Sequence, residues 1–309
     1  MSKILVTGGA GFIGSNLVDR LITLGHQVVI IDDLSSGRKE YINPEAKFYQ
    51  IDIAAPKVEE IFAVQKFDYV YHLAAQIEVS KSVLDPRRDN QINVLGGLNI
   101  LENCYKHKVQ KIIFSSTGGA LYGEATEMPT PEGYPTYPIS PYGIHKLAFE
   151  KYLNYYHQVF GQPYTILRFA NVYGPRQYKG GEAGVIAIFV DNAVSDKESI
   201  IYGDGLQTRD FVYVDDVVSA LARAMENDYA GEINIGTGLE KNLLDVVMAI
   251  ELALGKRIKK KHLPSKPGEQ RRSVLSFKKA KEILDWQPQV SLEEGIKKTI
   301  FWSKNRLEE

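Results

Sequence analysis

Short, unbroken apolar runs alternate along the chain with longer stretches whose apolar positions recur every three or four residues. Lys3–Thr7 and Gln27–Ile31 are runs of the first kind, the second β-branched throughout after Gln27, and predict buried strands. Between them, Ile13–Leu24 has apolar residues at 13, 17, 18, 21, 22 and 24, the spacing of one helix face. Lys47–Gln50, Tyr69–Leu73 and Lys111–Ser115 read as further strands, and Val94–Tyr105 as a helix between the last two. Ile166–Phe169 reads as a sixth strand. Strands that alternate with helices predict an α/β fold built on a doubly wound parallel sheet.

Glu124–Pro141 interrupts this rhythm with Pro129, Pro131, Pro135, Pro138 and Pro141, and predicts a loop. Ser140 is suited to cap the next helix and Pro141 to its first position, with the helix running from Tyr142 to about Phe160. Past Gly174-Pro175 loops increase, and helices are expected at Val214–Met225, Leu243–Leu254, Lys281–Leu284 and Glu293–Trp302. A soft boundary near residue 175 divides the chain into a Rossmann-type domain, 1–175, and a smaller, partly interleaved domain, 176–309, parts of which are expected to return to the first. The basic run Lys256–His262 reads as a solvated edge or loop, with attraction of an anionic substrate as the alternative.

Composition narrows the function. The 309 residues carry 37 Lys+Arg against 38 Asp+Glu, so there is no basic field for nucleic acid and no polybasic pull toward a membrane. No apolar run reaches the length of a membrane span, and the start, MSKILVTGG, is too short to be a signal-peptide core. Cys104 is the only cysteine, which excludes an internal disulfide and a Cys-based zinc site; it reads as a packing residue. The six His form no metal-binding pattern, and His72, at a strand end, reads as a buried or cofactor-lining residue. A reduced cytoplasm is the expected location.

Two constellations carry chemistry. In the first, Gly8, Gly11 and Gly14 join the first strand to the first helix. Glycines there let a pyrophosphate approach the backbone, and the helix N-terminus offers N–H donors to it. The second strand ends in Asp32-Asp33, where a carboxylate can accept the adenosine ribose hydroxyls and would repel a 2′-phosphate; NAD is therefore expected over NADP. Asp33 alone can equally be a turn residue. Asp52 could bond the adenine amino group or serve as a turn or cap residue.

In the second, Tyr142 and Lys146 stand four residues apart on one helix face. A phenol titrates near 10, and lowering it by three units needs ~4 kcal/mol. One cation about 4 Å away supplies about that much at an effective dielectric of ~20. Lys146 is one such cation, and an oxidised nicotinamide would be another. The pair can then act as a general base for a sugar hydroxyl. The fifth strand runs into Ser115-Ser116-Thr117-Gly118-Gly119-Ala120, a loop that faces the ligand crevice. Thr117 is the first candidate to share the reacting proton and Ser116 the second, with local capping as the alternative role.

These motifs resemble the extended short-chain dehydrogenase/reductase family, and within it the UDP-galactose 4-epimerase-like nucleotide-sugar enzymes. TGGAGFIGSNL at 7–17, HLAAQ at 72–76, SSTGGALYG at 115–123, SPYGIHKLAFEKYL at 140–153, RFANVYGPRQ at 168–177, RDFVYVDDVV at 209–218 and LDWQPQVSLEEGI at 284–296 carry the resemblance. It implies a bound NAD that takes hydride from the sugar C4 and returns it to the other face after the keto intermediate rotates. Tyr142 would move the proton, with Lys146 holding the nicotinamide ribose and Thr117 assisting. Cofactor contacts would fall to Gly8, Gly11, Phe12, Ile13, Gly14, Asp32, Asp33, Leu34, Ser35, Ser36, Gly37, Asp52, Ile53, Leu73, Ala74, Ala75, Gln76, Asn93, Tyr142, Lys146 and Ala170. The UDP-sugar would meet Thr117, Tyr142, Asn171, Gly184, Val185, Ile200, Tyr202, Arg209, Lys266, Glu269 and Ser273. Arg209 would pair with the diphosphate; its bland alternative is an ion pair with Asp210 or Asp215.

Two departures from related enzymes bear on the chemistry. Thr117–Ala120 contains no carboxylate, whereas dehydratases and decarboxylases of this kind place an acid there. Ser273 falls where some relatives have a bulky Tyr, which predicts room for an N-acetyl group on the sugar. The resemblance also implies a homodimer paired through the helices at about 94–105 and 142–160. Competing readings are 4-epimerisation of a UDP-hexuronate and a non-catalytic NAD-sensing protein.

Overall fold

The computed structural model describes residues 1–177, 184–265 and 270–308. Its strands are β1 Lys3–Thr7, β2 Gln27–Asp32, β3 Lys47–Gln50, β4 Tyr69–His72, β5 Lys111–Thr117, β6 Tyr164–Phe169, β7 Asn171–Tyr173, β8 Ser199–Tyr202, β9 Thr208–Arg209, β10 Phe211–Tyr213, β11 Glu232–Ile235, β12 Lys241–Asn242, β13 Lys260–Leu263 and β14 Arg272–Ser273. The helices are α1 Phe12–Thr23, α2 Val58–Gln65, α3 Val79–Leu84, α4 Pro86–Asn90, α5 Gly97–Lys106, α6 Gly118–Leu121, α7 Pro141–Phe160, α8 Val185–Val194, α9 Val214–Met225, α10 Leu243–Leu254, α11 Lys278–Leu284 and α12 Leu292–Glu308.

Seven strands form one sheet in the order β11-β6-β5-β4-β1-β2-β3, every pair parallel. Alternation along each strand assigns its residues to two faces. Ile4, Val6, Ile30, Ile113 and Leu167 pack with Leu17 and Leu21 of α1 and Val217 and Leu221 of α9. Leu5, Val29, Ile31, Ile112, Phe114 and Ile166 pack with Phe62 of α2, Leu101 of α5 and Phe149 of α7. The strand that closes the sheet beside β6, β11, comes from the second half of the chain, and α9 lies against α1. Small strand pairs, β8 with β13, β7 with β10, and β9 between β12 and β14, lie outside this sheet.

The 94–105 helix is only the end of a longer element. Asp85 accepts from the Arg88 amide, Pro86 opens α4, and a π-helical turn, Gln91–Gly96, leads into α5. A Cβ on Gly96 would stand 2.8 Å from Ile53 and one on Gly97 2.7 Å from Phe149, so two small residues let this element lie close to its neighbours. β5 continues to Thr117 because Ser116 and Thr117 remain paired with Arg168 and Phe169 of β6. The basic run is a solvated edge: Lys259 pairs with Asp196, and Arg257 and Lys260 with Glu251. Among the described residues no helix is long and apolar enough to cross a membrane.

Phe149 is fully buried, with its ring 4.8 Å from Phe114 and 5.4 Å from His72. Phe149→Ala should destabilise the fold by about 3–5 kcal/mol in urea unfolding. A loss below about 1 kcal/mol would contradict this packing.

Candidate active site

The C-terminal ends of β1, β2, β4 and β5 converge on one crevice. β1 ends at Thr7, and Gly8 takes the left-handed conformation, φ 72°, that glycine adopts without strain. A Cβ there would lie 2.7 Å from the Ala74 amide, and one on Gly14 would lie 2.1 Å from the Gly8 carbonyl oxygen. Only glycine lets α1 seat directly on this turn. The first-turn amides of α1, at Phe12, Ile13 and Gly14, lack intrahelical acceptors by helix geometry and stand over the turn. Leu73 and Ala74 also border it, their amides donating to Thr7 Oγ1 at 3.2 Å each.

Asp32 ends β2 almost fully buried. It accepts from the Ala10 amide at 3.0 Å and the Leu34 amide at 2.8 Å, one on each oxygen, and each oxygen keeps a further lone pair. Burial pushes its carboxyl above the usual range, while those amides pull it back. A Cβ on Gly37 would crowd Asp32 Oδ1 at 2.8 Å. Asp33 is exposed and accepts from the Ser35 amide and hydroxyl, the local turn role. Asp52 likewise accepts from the Ala54 amide, with Arg88 4.0 Å away, and Ile53 is buried beneath it. The residues therefore fit a dinucleotide: a glycine turn open to backbone approach, helix amides for phosphate, and a carboxylate for ribose hydroxyls.

Across the crevice, Ser140 accepts from the Gly143 amide and Pro141 opens α7, which sets Tyr142 in the first turn. The Tyr142 hydroxyl lies near enough to Thr117, the last residue of β5, for that side chain to pull the phenol down, and Thr117 also caps α6 through the Ala120 amide. Lys146 is buried, donates to the Ser115 carbonyl at 3.0 Å, and lies 4.7 Å over the Phe114 ring. Burial lowers the Lys146 ammonium to about 8, with Asp89 and Glu150 opposing. It remains mostly charged at neutral pH.

The geometry corrects one expectation. Burial, reinforced by Asp89, raises the Tyr142 phenol instead of lowering it; only the Thr117 hydrogen bond opposes. Lys146 Nζ sits 6.0 Å from the Tyr142 ring centroid and is engaged by a carbonyl, so it does not by itself overcome desolvation. Ser116, the second candidate hydroxyl, is turned away into a buried network and donates to Glu150 at 2.6 Å. His72 is buried and paired with Thr7 Oγ1 at 2.8 Å; burial lowers it to about 3, which keeps it neutral.

A Cβ on Gly119 would stand 3.9 Å from Asn171 Oδ1 and 4.0 Å from Thr117 Oγ1, so Asn171 borders the same corner as the Tyr142 partner. Ala170 joins it to β6, with its amide bonded to Ile235. Arg209 and Ser273 face each other as register partners of β9 and β14. The Asp210 carboxylate is buried and occupied by the Thr237, Gly238 and Leu275 amides and the Thr237 hydroxyl. Ile200 and Tyr202 lie on β8, and Gly184 caps α8 at Val185. Lys266 and Glu269 fall outside the described residues.

Sequence reading missed the supports of this site. Arg168 makes a two-pronged pair with Glu150, Nε at 3.0 Å and Nη2 at 2.6 Å, and donates to Tyr122, which donates to Asn234. Asp89 meets Gln76, Asn93 and His145. Glu150 stands four residues after Lys146 and Asp89 four before Asn93, the helical spacing that could have marked them. No group of three His, Cys, Asp or Glu able to hold a metal occurs among the described residues.

Comparison with known proteins agrees with this geometry. The UDP-glucose 4-epimerase of Mycolicibacterium smegmatis is 43% identical over 310 residues, covering 98% of this chain and 99% of that protein. A crystal structure of UDP-glucose 4-epimerase from Thermotoga maritima with UDP-glucose superposes with a TM-score of 0.97 at 47% identity, over 99% of both chains. The Thermus thermophilus UDP-glucose 4-epimerase, solved in complex with NAD, has a TM-score of 0.93 at 41% identity, over 98% of this chain and 99% of that one. Residues 4–236 match the NAD dependent epimerase/dehydratase family. With the glycine cradle, Asp32 and the Tyr142–Lys146 helix all inside that span, the chain belongs to this family.

Proposed function

We propose that this protein is an NAD-dependent UDP-glucose/UDP-galactose 4-epimerase. The observation that carries the reading is the Tyr142 hydroxyl beside Thr117, with buried Lys146 one helical turn on, across from a glycine cradle that ends at Asp32. The cofactor would lie along Gly8–Gly14, with its ribose at Asp32 and its nicotinamide end toward Asn93, Tyr142 and Lys146. NAD, when bound, supplies a hydride acceptor and donor at the sugar C4 and, while oxidised, a positive charge beside the phenol.

Tyr142 takes the proton from the C4 hydroxyl and later returns it, and Thr117 shares that hydrogen bond. Lys146 keeps a buried positive charge on the same helix face and favours the phenolate. With no carboxylate in Thr117–Ala120, this loop offers no acid for elimination or a further proton transfer. Asn171 and Arg209 would hold the diphosphate, and Gly184, Val185, Ile200 and Tyr202 the nucleoside side. Residues 1–175 and 176–309 would be the cofactor and substrate domains. The lone cysteine, Cys104, is buried as a thiol, which suits a reducing cytoplasm.

A second reading widens the substrate range. Ser273 is small and sits beside Arg209 at a strand edge, which supports acceptance of a UDP-N-acetylhexosamine. A homodimer is also proposed. Tyr105 on α5 and Tyr152, Tyr155, Val159 and Phe160 on α7 are exposed apolar residues on the two helices expected to pair. Light scattering should give twice the 34.7 kDa chain mass; a monomer mass contradicts the dimer.

The wild type should interconvert UDP-galactose and UDP-glucose with no external reductant, and turn over UDP-N-acetylglucosamine as well. Tyr142→Phe should lower kcat by about 10²–10⁴ while bound NAD is retained. Folded, NAD-loaded wild type that converts neither hexose would overturn the reading in favour of a UDP-hexuronate epimerase or an NAD-sensing protein. Failure on the N-acetyl sugar alone would overturn only the wider range.

The pH dependence follows from the two shifts. Tyr142 works deprotonated and its phenol is raised, so kcat/KM should climb with pH through neutrality. Lys146 works charged and titrates at about 8, so the climb should end and reverse above that pH. A profile flat from about pH 7 to 10 would contradict both roles.

A further inference from the structure

We propose that Asp89 is a positioning residue for this reaction, tying the wall formed by Gln76 and Asn93 to the helix that carries Tyr142 and Lys146. The proposal rests on the epimerase reading and adds to it a residue outside the glycine cradle and the Tyr/Lys pair.

Asp89 is 1% exposed, yet three donors from three separate segments converge on its carboxylate. Oδ1 accepts from Gln76 Nε2 at 2.7 Å, in the loop after β4, and from Asn93 Nδ2 at 3.2 Å, in the π-helical turn. Oδ2 accepts from His145 Nδ1 at 2.5 Å, on α7. Gln76 and Asn93 are locked to one another as well. The Gln76 amide donates to Asn93 Oδ1 at 3.0 Å, and Asn93 Nδ2 donates back to the Gln76 carbonyl at 2.9 Å. Both are among the proposed cofactor contacts, Asn93 toward the nicotinamide end.

His145 is where this wall meets the catalytic helix. It follows Tyr142 by three residues, about one turn, and precedes Lys146 by one. A second tether runs parallel to it. Gln76 Oε1 accepts from the Glu78 amide at 2.6 Å, just before α3, and Ser82 Oγ of α3 accepts from the Tyr142 amide at 3.1 Å. The first turn of α7 is thus held to the loop after β4 at two points, and Asp89 is the node of the direct one.

Only an acceptor-only group satisfies three converging donors. Without it, one N–H of each side-chain amide and the imidazole N–H would lose their acceptor, with Gln76 Nε2 keeping only the Glu78 carbonyl and Asn93 Nδ2 only the Gln76 carbonyl, and the easiest relief is movement of the loop or of the helix. Displacement on that scale degrades the alignment of reacting groups far more than it degrades folding. Asp89 also faces Lys146 and Tyr142 electrostatically, favouring the charged ammonium.

The test compares Asp89→Ala, Asp89→Asn, His145→Leu and His145→Asn as full-length, NAD-loaded proteins. Three quantities are read: kcat and KM for UDP-galactose, the Kd for NAD by titration of the cofactor-stripped protein, and the urea midpoint. Asp89→Ala should lower kcat at least about tenfold with little change in KM and weaken NAD binding. Asp89→Asn should recover most of both, since its oxygen can still accept from Gln76 and Asn93 while His145 changes tautomer. His145→Leu should lower kcat, and His145→Asn, whose Nδ2 can stand where Nδ1 stood, should restore it. The Asp89→Ala/His145→Leu double variant should lose no more than the worse single.

Equal behaviour of the Leu and Asn variants at 145, multiplicative losses in the double variant, or changes confined to the urea midpoint would overturn the proposal. Should Asp89→Ala fail to fold, the pair at 145 decides. Should the wild type turn over no nucleotide sugar, the epimerase reading fails by itself. The Kd for NAD across the series then decides whether Asp89 positions the cofactor wall.

Discussion

The buried pair between Glu150 and Arg168 is the constraint on which the geometry of this site depends. Both side chains are almost fully buried, and two of the Arg168 nitrogens reach the carboxylate of Glu150. Arg168 belongs to β6 and Glu150 to α7, one turn past Lys146, while Ser116 of β5 donates to the same carboxylate. The helix that carries Tyr142 and Lys146 is therefore registered against the strand that ends in Thr117. Such a pair adds little net stability compared with apolar packing, but removing one partner costs about 3–5 kcal/mol because the other charge is left buried. What it supplies is position: the hydroxyls of Tyr142 and Thr117 meet because α7 cannot slide along the sheet.

That position has an electrostatic cost. Drawing a phenol in among apolar atoms raises it, and the Asp89 carboxylate raises it further. Only Thr117 pulls the other way, and burial has drawn the Lys146 ammonium itself down to about 8. An ammonium 6.0 Å from the ring centroid and held by the Ser115 carbonyl acts on the phenol less than a cation at about 4 Å would. The chain alone thus holds Tyr142 as an acid. In the proposed reaction a bound, oxidised cofactor would add positive charge beside Tyr142 and favour the base, so that proton removal would be coupled to the presence of the hydride acceptor.

Much of this was legible in the sequence because the relevant signals are local. Lys3–Thr7, Lys47–Gln50, Val214–Met225 and Leu243–Leu254 begin and end where the apolar pattern says, and Ser140-Pro141 marks the start of the helix that carries Tyr142 to within one residue. The glycine turn and Asp32 belong to one β-α-β unit, so spacing alone finds them. Two things are not local. The π-helical turn at Gln91–Gly96 has no period of its own and leads into a glycine pair whose need for closeness comes from Ile53 and Phe149, distant in the chain. The pairing of Asp89 with His145 spans 56 residues, and β11 returns from the second half of the chain to close the sheet of the first. The field at Tyr142 escaped for the same reason, since burial is a property of the assembled fold.

The measurement that bears most directly on the central claim is the fate of an isotope at the reacting carbon. UDP-galactose carrying deuterium at C4 would be converted in ordinary water and the UDP-glucose product analysed by mass and NMR. If the C4 hydrogen leaves as hydride, is held out of solvent and returns to the same carbon, the product retains the deuterium at C4. Loss of the label to water would mean that C4 inverts by proton exchange, and the account of Tyr142, Lys146 and the cradle would be wrong.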